Sequence, residues 1–137
     1  MTTSNRQFRL AARPVGLPKR SDWNVTEEPA GQPADGEVLV KVLYISLDPA
    51  MRGWMNEGKS YIPPVALGAV MRAGAAGRVI ASRRPGFIAG DHVTGVLGVQ
   101  EYALAQGKHL IKVDPRVAAL PVYLGTLGMP GLTAYFG

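Results

Sequence analysis

From Glu37 to Met55 the chain reads EVLVKVLYISLDPAMRGWM, and no other stretch restricts the fold as much. Between Val38 and Leu47 the run is almost wholly apolar, broken by Lys41 and Ser46. Two side-chain sets alternate, Val38, Val40, Val42 and Tyr44 against Leu39, Lys41, Leu43 and Ile45. Branched and aromatic residues in such a run pack well on a pleated surface, which predicts a strand with both faces largely covered and Tyr44 in the core. Asp48-Pro49 must end it, because proline has no N–H for the ladder and restricts the residue before it. Ala50–Met55 then forms a short helical turn carrying Arg52. A buried strand that delivers a polar turn to one end of a sheet is a common way to place a site.

The rest of the chain is heavily punctuated. Among 137 residues there are 17 glycines and 11 prolines, a density that suits short strands joined by turns and argues against a helical bundle. Strands are predicted over Arg6–Ala12, Trp23–Glu28, Gly77–Ser82, Asp91–Val96, Val99–Ala105 and Leu110–Val113, with loops at 29–36 and 56–64. The second loop is long enough to be a mobile rim. Gly74-Ala75-Ala76-Gly77 is read as a place where backbones pass closely. A helical pattern begins at Pro121–Gly125, is expected to be interrupted over Gly128–Gly131, and resumes over Leu132–Phe136. The predicted fold is therefore mainly β, a small, partly open barrel with short helices. No domain boundary falls inside the chain. The ending GLTAYFG is an apolar helical start without a polar tail, as if the sequence stopped inside a longer protein. Leu132, Tyr135 and Phe136 would then form an exposed apolar patch that favours self-association.

Composition narrows the functions further. The absence of cysteine excludes disulfides and zinc–thiolate sites, and two histidines make a multi-histidine metal site improbable, so no metal is expected. The net charge is +5, and Arg6, Arg9, Arg13, Lys19 and Arg20 all precede the first acid, Asp22. Phe8, Leu10, Val15 and Leu17 interleave with them, which fits a solvated edge strand better than a nucleic-acid arm. No apolar run approaches the roughly 18 residues of a membrane span, and the N-terminus has no apolar signal core, so a cytoplasmic location is expected.

No catalytic apparatus is complete. The glycine pairs at Gly74–Gly77, Gly125–Gly128 and Gly128–Gly131 lack the spacing and context of a phosphate cradle and read as turns or close packing. Ser46 or Ser82 could be grouped on paper with His92 and Asp91 or Asp114, but no nucleophile-elbow sequence supports such a triad. Asp48 is expected to cap the following turn with its carboxylate, and Arg52 to form a structural ion pair, with phosphate binding the alternative.

Several phrases in order resemble a known family. Asn5-Arg6-Gln7, the run Leu10–Gly16, Ser46-Leu47-Asp48-Pro49-Ala50-Met51-Arg52-Gly53, Gly90-Asp91-His92-Val93, Gln100-Glu101-Tyr102-Ala103 and the run Leu127–Tyr135 look like the zinc-independent medium-chain dehydrogenase/reductases of the leukotriene B4 12-hydroxydehydrogenase, prostaglandin reductase and curcumin reductase group. The resemblance covers nearly the whole chain. It implies a GroES-like N-terminal catalytic domain over 1–137, followed in the family by a Rossmann domain that holds NADPH and is absent here. The implied reaction is hydride transfer to the C=C bond of an α,β-unsaturated ketone or aldehyde, by an enzyme that in full length allows a homodimer.

The same resemblance places Ala50, Met51 and Tyr61 against the substrate and Pro49, Ala50, Met129 and Thr133 against the cofactor. It assigns no catalytic residue within this chain. Two positions depart from the family pattern. Ala50 stands where a tyrosine is usual, which removes a donor and a wall of the pocket. Val99 stands where tryptophan is usual, which should loosen local packing. The alternative reading is a stand-alone or truncated GroES-like binding module without redox activity; a nucleic-acid-binding barrel is a third.

Overall fold

The computed structural model describes residues 3–137 and is built mainly of antiparallel strands. In chain order these are β1 (Ser4–Leu10), β2 (Trp23–Pro29), β3 (Glu37–Ile45), β4 (Gly74–Ser82), β5 (His92–Val96), β6 (Tyr102–Gln106) and β7 (Ile111–Val113), with helices α1 (Ala50–Trp54) and α2 (Met129–Phe136). Short 3-10 turns cover Arg20–Asp22, Gly107–His109 and Leu120–Leu124. β1 and β2 form a two-stranded sheet; the other five strands run in the order β6-β3-β4-β5-β7. Isolated bridges Gln7↔Gln100 and Arg9↔Val70 tie β1 to the larger sheet's connections. The mainly β architecture with few short helices is the one the Gly/Pro punctuation predicts.

β3 is an interior strand, next to the central β4 on one side and the edge strand β6 on the other. Val38 and Val40 pack with Ala75, Val79, Val93, Leu97, Ala103 and Leu110 in the main core. Only the first half of β3 is covered on both faces. Val38–Val40 are buried, whereas Lys41, Leu43 and Tyr44 are exposed. Tyr44 is 46% exposed and does not belong to the core as its alternation predicted. The pairing with β6 ends at Lys41↔Tyr102, and register shifts against β4 fall between Leu39 and Val40 and between Val42 and Tyr44. Each shift breaks the strict inside–outside alternation on which that prediction rested.

β4 begins at Gly74, three residues before the predicted start, so the small-residue run lies within the strand. A Cβ at Gly77 would run into the backbone carbonyl of Lys41 and the Val40 side chain on β3. The expected close approach of two backbones is thus located at this residue. The C-terminal segment also differs from expectation. Gly128–Gly131 does not interrupt a helix; α2 starts at Met129, with Pro130 in its first turn, where a missing N–H costs nothing.

The basic N-terminal residues are not merely solvated. Arg9 bonds Glu28, Gln7, Thr26 and the Gly68 carbonyl. Arg13 donates to the carbonyls of Met55 and Val65. No helix among the described residues is long and apolar enough to cross a membrane.

Candidate active-site surface

The turn after β3 is assembled from backbone and side-chain bonds together. Ser46 closes the strand by donating its N–H to Gly74 O (2.8 Å). Its hydroxyl donates to Asp48 Oδ1 (3.0 Å), so the Asp48 carboxylate is engaged behind the turn rather than capping it. The cap comes instead from backbone: Met51 N–H donates to Asp48 O and Arg52 N–H to Pro49 O. Pro49, with φ −55°, already has helical geometry and occupies the cap position, which has no side-chain acceptor. Local Ser–Asp bonding is the cheaper arrangement, because a short side chain two residues away reaches the carboxylate first.

Arg52 does not form the expected ion pair. Its guanidinium donates to Pro14 O (2.9 Å), Gly16 O (3.0 Å) and Asn56 Oδ1 (2.6 Å). These acceptors neutralise nothing, but they staple α1 to the Pro14–Gly16 connection with a planar donor fork. Arg13 does the same at the other end of α1 through Met55 O and Val65 O. A helix of five residues cannot hold itself together, and these two arginines supply from outside what its own ladder cannot.

Below the turn, Leu10, Met55, Val65 and Met71 form a second buried cluster, with Met51, Trp54 and Val99 packed against it. Pro49 and Ala50 remain exposed. Trp54 Nε1–H donates to the Tyr61 hydroxyl oxygen at 2.9 Å, which brings the 56–64 loop beside α1. The Arg72 guanidinium lies 5.4 Å from the centre of the Trp54 ring and donates to Pro63 O. Val99 lines an open groove of about 340 Å³ with Phe8, Val42, Leu43 and Ile45.

Of the residues expected at the site, Pro49, Ala50 and Met51 share the α1 turn, and Tyr61 is linked to that helix through its bond with Trp54. Met129 and Thr133 lie apart on α2, and among the described residues no hydrogen bond joins α2 to the α1 turn. Met129 is 74% exposed, and the Thr133 hydroxyl donates to Met129 O within the helix. Sequence reasoning missed Arg13, Trp54 and Arg72. The Arg13 and Arg72 acceptors are backbone carbonyls, which carry no side-chain signal.

The remaining candidates are structural. His92 pairs with Val113 and Arg78 within the sheet. Its acidic neighbours are engaged elsewhere: Asp91 with Lys112 (2.7 Å) and Asp114 with Arg116 (2.7 Å). The hydrogen bond from Lys112, together with the Ile88 N–H, holds the Asp91 carboxyl below the ordinary carboxylate range. The Arg116 guanidinium and N–H lower that of Asp114 to about 2. No bonded Ser–His–Asp set forms, and no group of three or more potential metal ligands is found among the described residues.

This geometry has relatives. The family model described as the N-terminal domain of oxidoreductase matches residues 6–113. The chain therefore belongs to the medium-chain dehydrogenase/reductase family, among the homologues of curcumin, prostaglandin and 2-alkenal reductases. The NADPH-dependent curcumin reductase of Escherichia coli is 42% identical over 133 residues, 97% of this chain and 39% of that protein. The NADP(+)-dependent 2-alkenal reductase of Nicotiana tabacum is 39% identical over 140 residues, 98% of this chain and 40% of its own length. The crystal structure of CurA from Vibrio vulnificus in complex with NADPH superimposes with a TM-score of 0.87 at 40% identity, over 95% of this chain and 39% of that one. The fold is the GroES-like one of these N-terminal domains. The chain spans about two fifths of the length of the relatives it matches.

Proposed function

We propose that residues 1–137 are the GroES-like catalytic half of an NADPH-dependent reductase of α,β-unsaturated ketones and aldehydes, with a Rossmann domain supplying the other half of the cleft. The observation that carries this reading is the α1 turn. Pro49 and Ala50 are exposed, apolar and held rigid by Arg13 and Arg52, beside a fixed tyrosine. A surface that is apolar, preformed and provided with one polar group suits a flat enone lying against a nicotinamide ring.

The residues fit one end of the cofactor. Pro49, Ala50 and Met129 offer exposed apolar contact, and the Thr133 hydroxyl oxygen keeps acceptor capacity for an amide N–H. They do not fit its pyrophosphate. The N–H groups of Gly125, Leu127, Gly128 and Gly131 are already donated to carbonyls of Val122 and Gly125. Those of Gly74–Gly77 lie in a strand paired on both sides. A phosphate cradle would have to come from the second domain. When bound, the cofactor would supply the hydride for the β-carbon, the C=C electron pair shifting toward the carbonyl oxygen, and a proton from water would complete the α-carbon. The chain's task is to orient the enone, exclude water and polarise that oxygen.

The test is full-length protein with NADPH carrying a deuterium at the transferred position, incubated with 2-alkenals and enones. Deuterium at the product's β-carbon, with the carbonyl intact, is the expected result. Reduction of the carbonyl to an allylic alcohol, or no consumption of NADPH, would overturn the reading. Residues 1–137 alone are expected to give no turnover; robust activity from them would remove the need for the second domain.

A further inference from the structure

We propose that the loop from Pro14 to Pro18 is a membrane-contact tip, which lays Val15 and Leu17 into the interfacial zone of an anionic lipid surface while Lys19 and Arg20 meet its headgroups. None of the residues placed at substrate or cofactor takes part, so the reductase reading and this one stand or fall separately.

Val15 and Leu17 are 88% and 85% exposed, more than any other large apolar side chain among the described residues. They belong to neither buried cluster. A Cβ on Gly16, between them, would meet nothing within 4 Å, so the loop projects from the domain. Their exposure does not come from looseness. Pro14 is buried, and the Arg52 guanidinium donates to Pro14 O (2.9 Å) and Gly16 O (3.0 Å). Ala11 and Ala12 donate their N–H groups to Asp22 O, which closes the loop at its base. Two aliphatic side chains held in water by a rigid loop keep their burial energy available for a partner.

The same bonds prepare the backbone for a dry environment. Pro14 and Pro18 have no N–H to leave unpaired, and the carbonyls of Pro14 and Gly16 already have their donor. Open backbone groups are what make it costly to take a loop out of water, and here few remain. The cations follow at once. Lys19 and Arg20 are exposed, and neither side chain forms an ion pair among the described residues. Asp22, the nearest acid in the sequence, is buried, and its carboxylate accepts the Lys19 N–H at 2.7 Å. The basic, apolar-interleaved N-terminal segment thus divides in two. Arg6, Phe8, Arg9 and Leu10 belong to β1, whereas sheet pairing gives no use for Val15, Leu17, Lys19 and Arg20.

A lipid surface suits this tip better than a macromolecule does. Two side chains on a projection cover far less than the roughly 800 Å² per partner of a specific protein interface. A nucleic acid would engage the cations and leave the aliphatic pair in water. A fluid bilayer closes around a small projection, takes aliphatic groups into its acyl boundary and attracts lysine and arginine through its surface charge. Contact through so few groups is weak and reversible, as it is for a single lipid anchor.

The experiment uses the full-length protein and vesicles of phosphatidylcholine, with and without phosphatidylglycerol. Co-sedimentation gives the partition coefficient of wild type, of Val15→Ser with Leu17→Ser, and of Lys19→Gln with Arg20→Gln. Leu17→Trp reports insertion through its emission, taken as the difference from wild type. Wild type is expected to bind the anionic vesicles and to be released by high salt. The serine pair should lower the partition coefficient about a hundredfold, the scale of two aliphatic side chains left in water. The glutamine pair should lower it about tenfold, through loss of attraction to the headgroups. Emission of Leu17→Trp should move to the blue on anionic vesicles, a reading that holds even if the serine pair lowers stability. Failure of wild type to bind, binding indifferent to the anionic lipid, full binding by a folded serine variant, or an unshifted emission overturns the proposal. So does a dimer that dissociates in the serine variant while wild type ignores vesicles, which would assign the tip to a second copy.

Discussion

The two short helices at the expected site are held in opposite ways. α1 has five residues and is fastened from outside by donors: Arg52 to Pro14, Gly16 and Asn56, and Arg13 to Met55 and Val65. Its side chains Met51 and Trp54 reach a buried cluster. α2 has eight residues and buries none of them. It is seated by backbone alone, where Gly131 passes so close to the Thr126 carbonyl that a Cβ has no room. Its apolar residues Leu132, Tyr135 and Phe136 are exposed, the first two lining an open groove of about 820 Å³. A helix tied into the core by many polar and apolar contacts shares the global stability of the domain, whereas one seated only by close approach opens by itself. The proposed substrate surface on α1 is thus rigid, whereas α2, with Met129 and Thr133, is a local unit.

That contrast is most directly broken at Arg52. Arg52→Met keeps the apolar stem and removes the whole donor fork, leaving the Pro14 and Gly16 carbonyls without it. Loss of charge-assisted hydrogen bonds at a partly buried position should cost about 2–3 kcal/mol. The loss should appear in the single cooperative thermal transition, with α1 and the barrel melting together. A melting temperature equal to wild type would mean that α1 is not coupled to the core through this residue.

On α2 the corresponding change is Gly131→Ala. The added methyl meets backbone rather than a movable side chain, so the helix must lift or shift. Because α2 buries no side chain, the global cost is expected to stay below about 1 kcal/mol, in keeping with local opening. Amide exchange measured residue by residue should accelerate across Met129–Phe136 and stay unchanged in β3 and β4. An equal slowing of folding or loss of stability throughout the barrel would show that α2 is part of the cooperative unit after all.

The legible half of this picture follows the same division. Strand order and turn positions could be approached from the sequence because proline and glycine act locally, as at Asp48-Pro49, where the chain leaves the sheet near the predicted point. Tyr44 was misplaced because a register shift has no signature in an alternating run. Arg52 was misassigned because its acceptors are carbonyls 36 and 38 residues away, and every residue has one. The expectation that Ala50, Met51 and Tyr61 face one substrate rests on resemblance to a family, not on periodicity. The Trp54–Tyr61 bond depends on how a loop folds back, which no local pattern encodes. The start of α2 was misread for a related reason: Gly128 and Gly131 look like breakers, but their small size is required by the carbonyls of Tyr123 and Thr126 beneath them.

The smallest expected effect tests the tether between barrel and α2. After β7, the Asp114 carboxylate holds Arg116 through its guanidinium and its N–H, while the Asp114 carbonyl accepts the Tyr123 hydroxyl (2.7 Å). Arg116 lowers the Asp114 carboxyl from 3.8 to about 2. A folded value below the unfolded one means that the unfolded chain binds the proton more tightly. The stabilisation is therefore fully present above 3.8 and is lost as the pH falls toward about 2. Asp114→Asn should remove this share of the acid sensitivity and leave the Tyr123 bond intact. The effect is modest, since an ion pair this exposed is well screened by water and salt. In wild type, exchange of the amides over 115–124 should rise between those two pH values, after correction for the pH dependence of intrinsic exchange, and before the barrel core responds. In Asp114→Asn the same amides should be insensitive across that window. Identical pH profiles in the two proteins would show that the turn is held by Tyr123 alone, and that α2 is joined to the barrel more firmly than its exposed side chains imply.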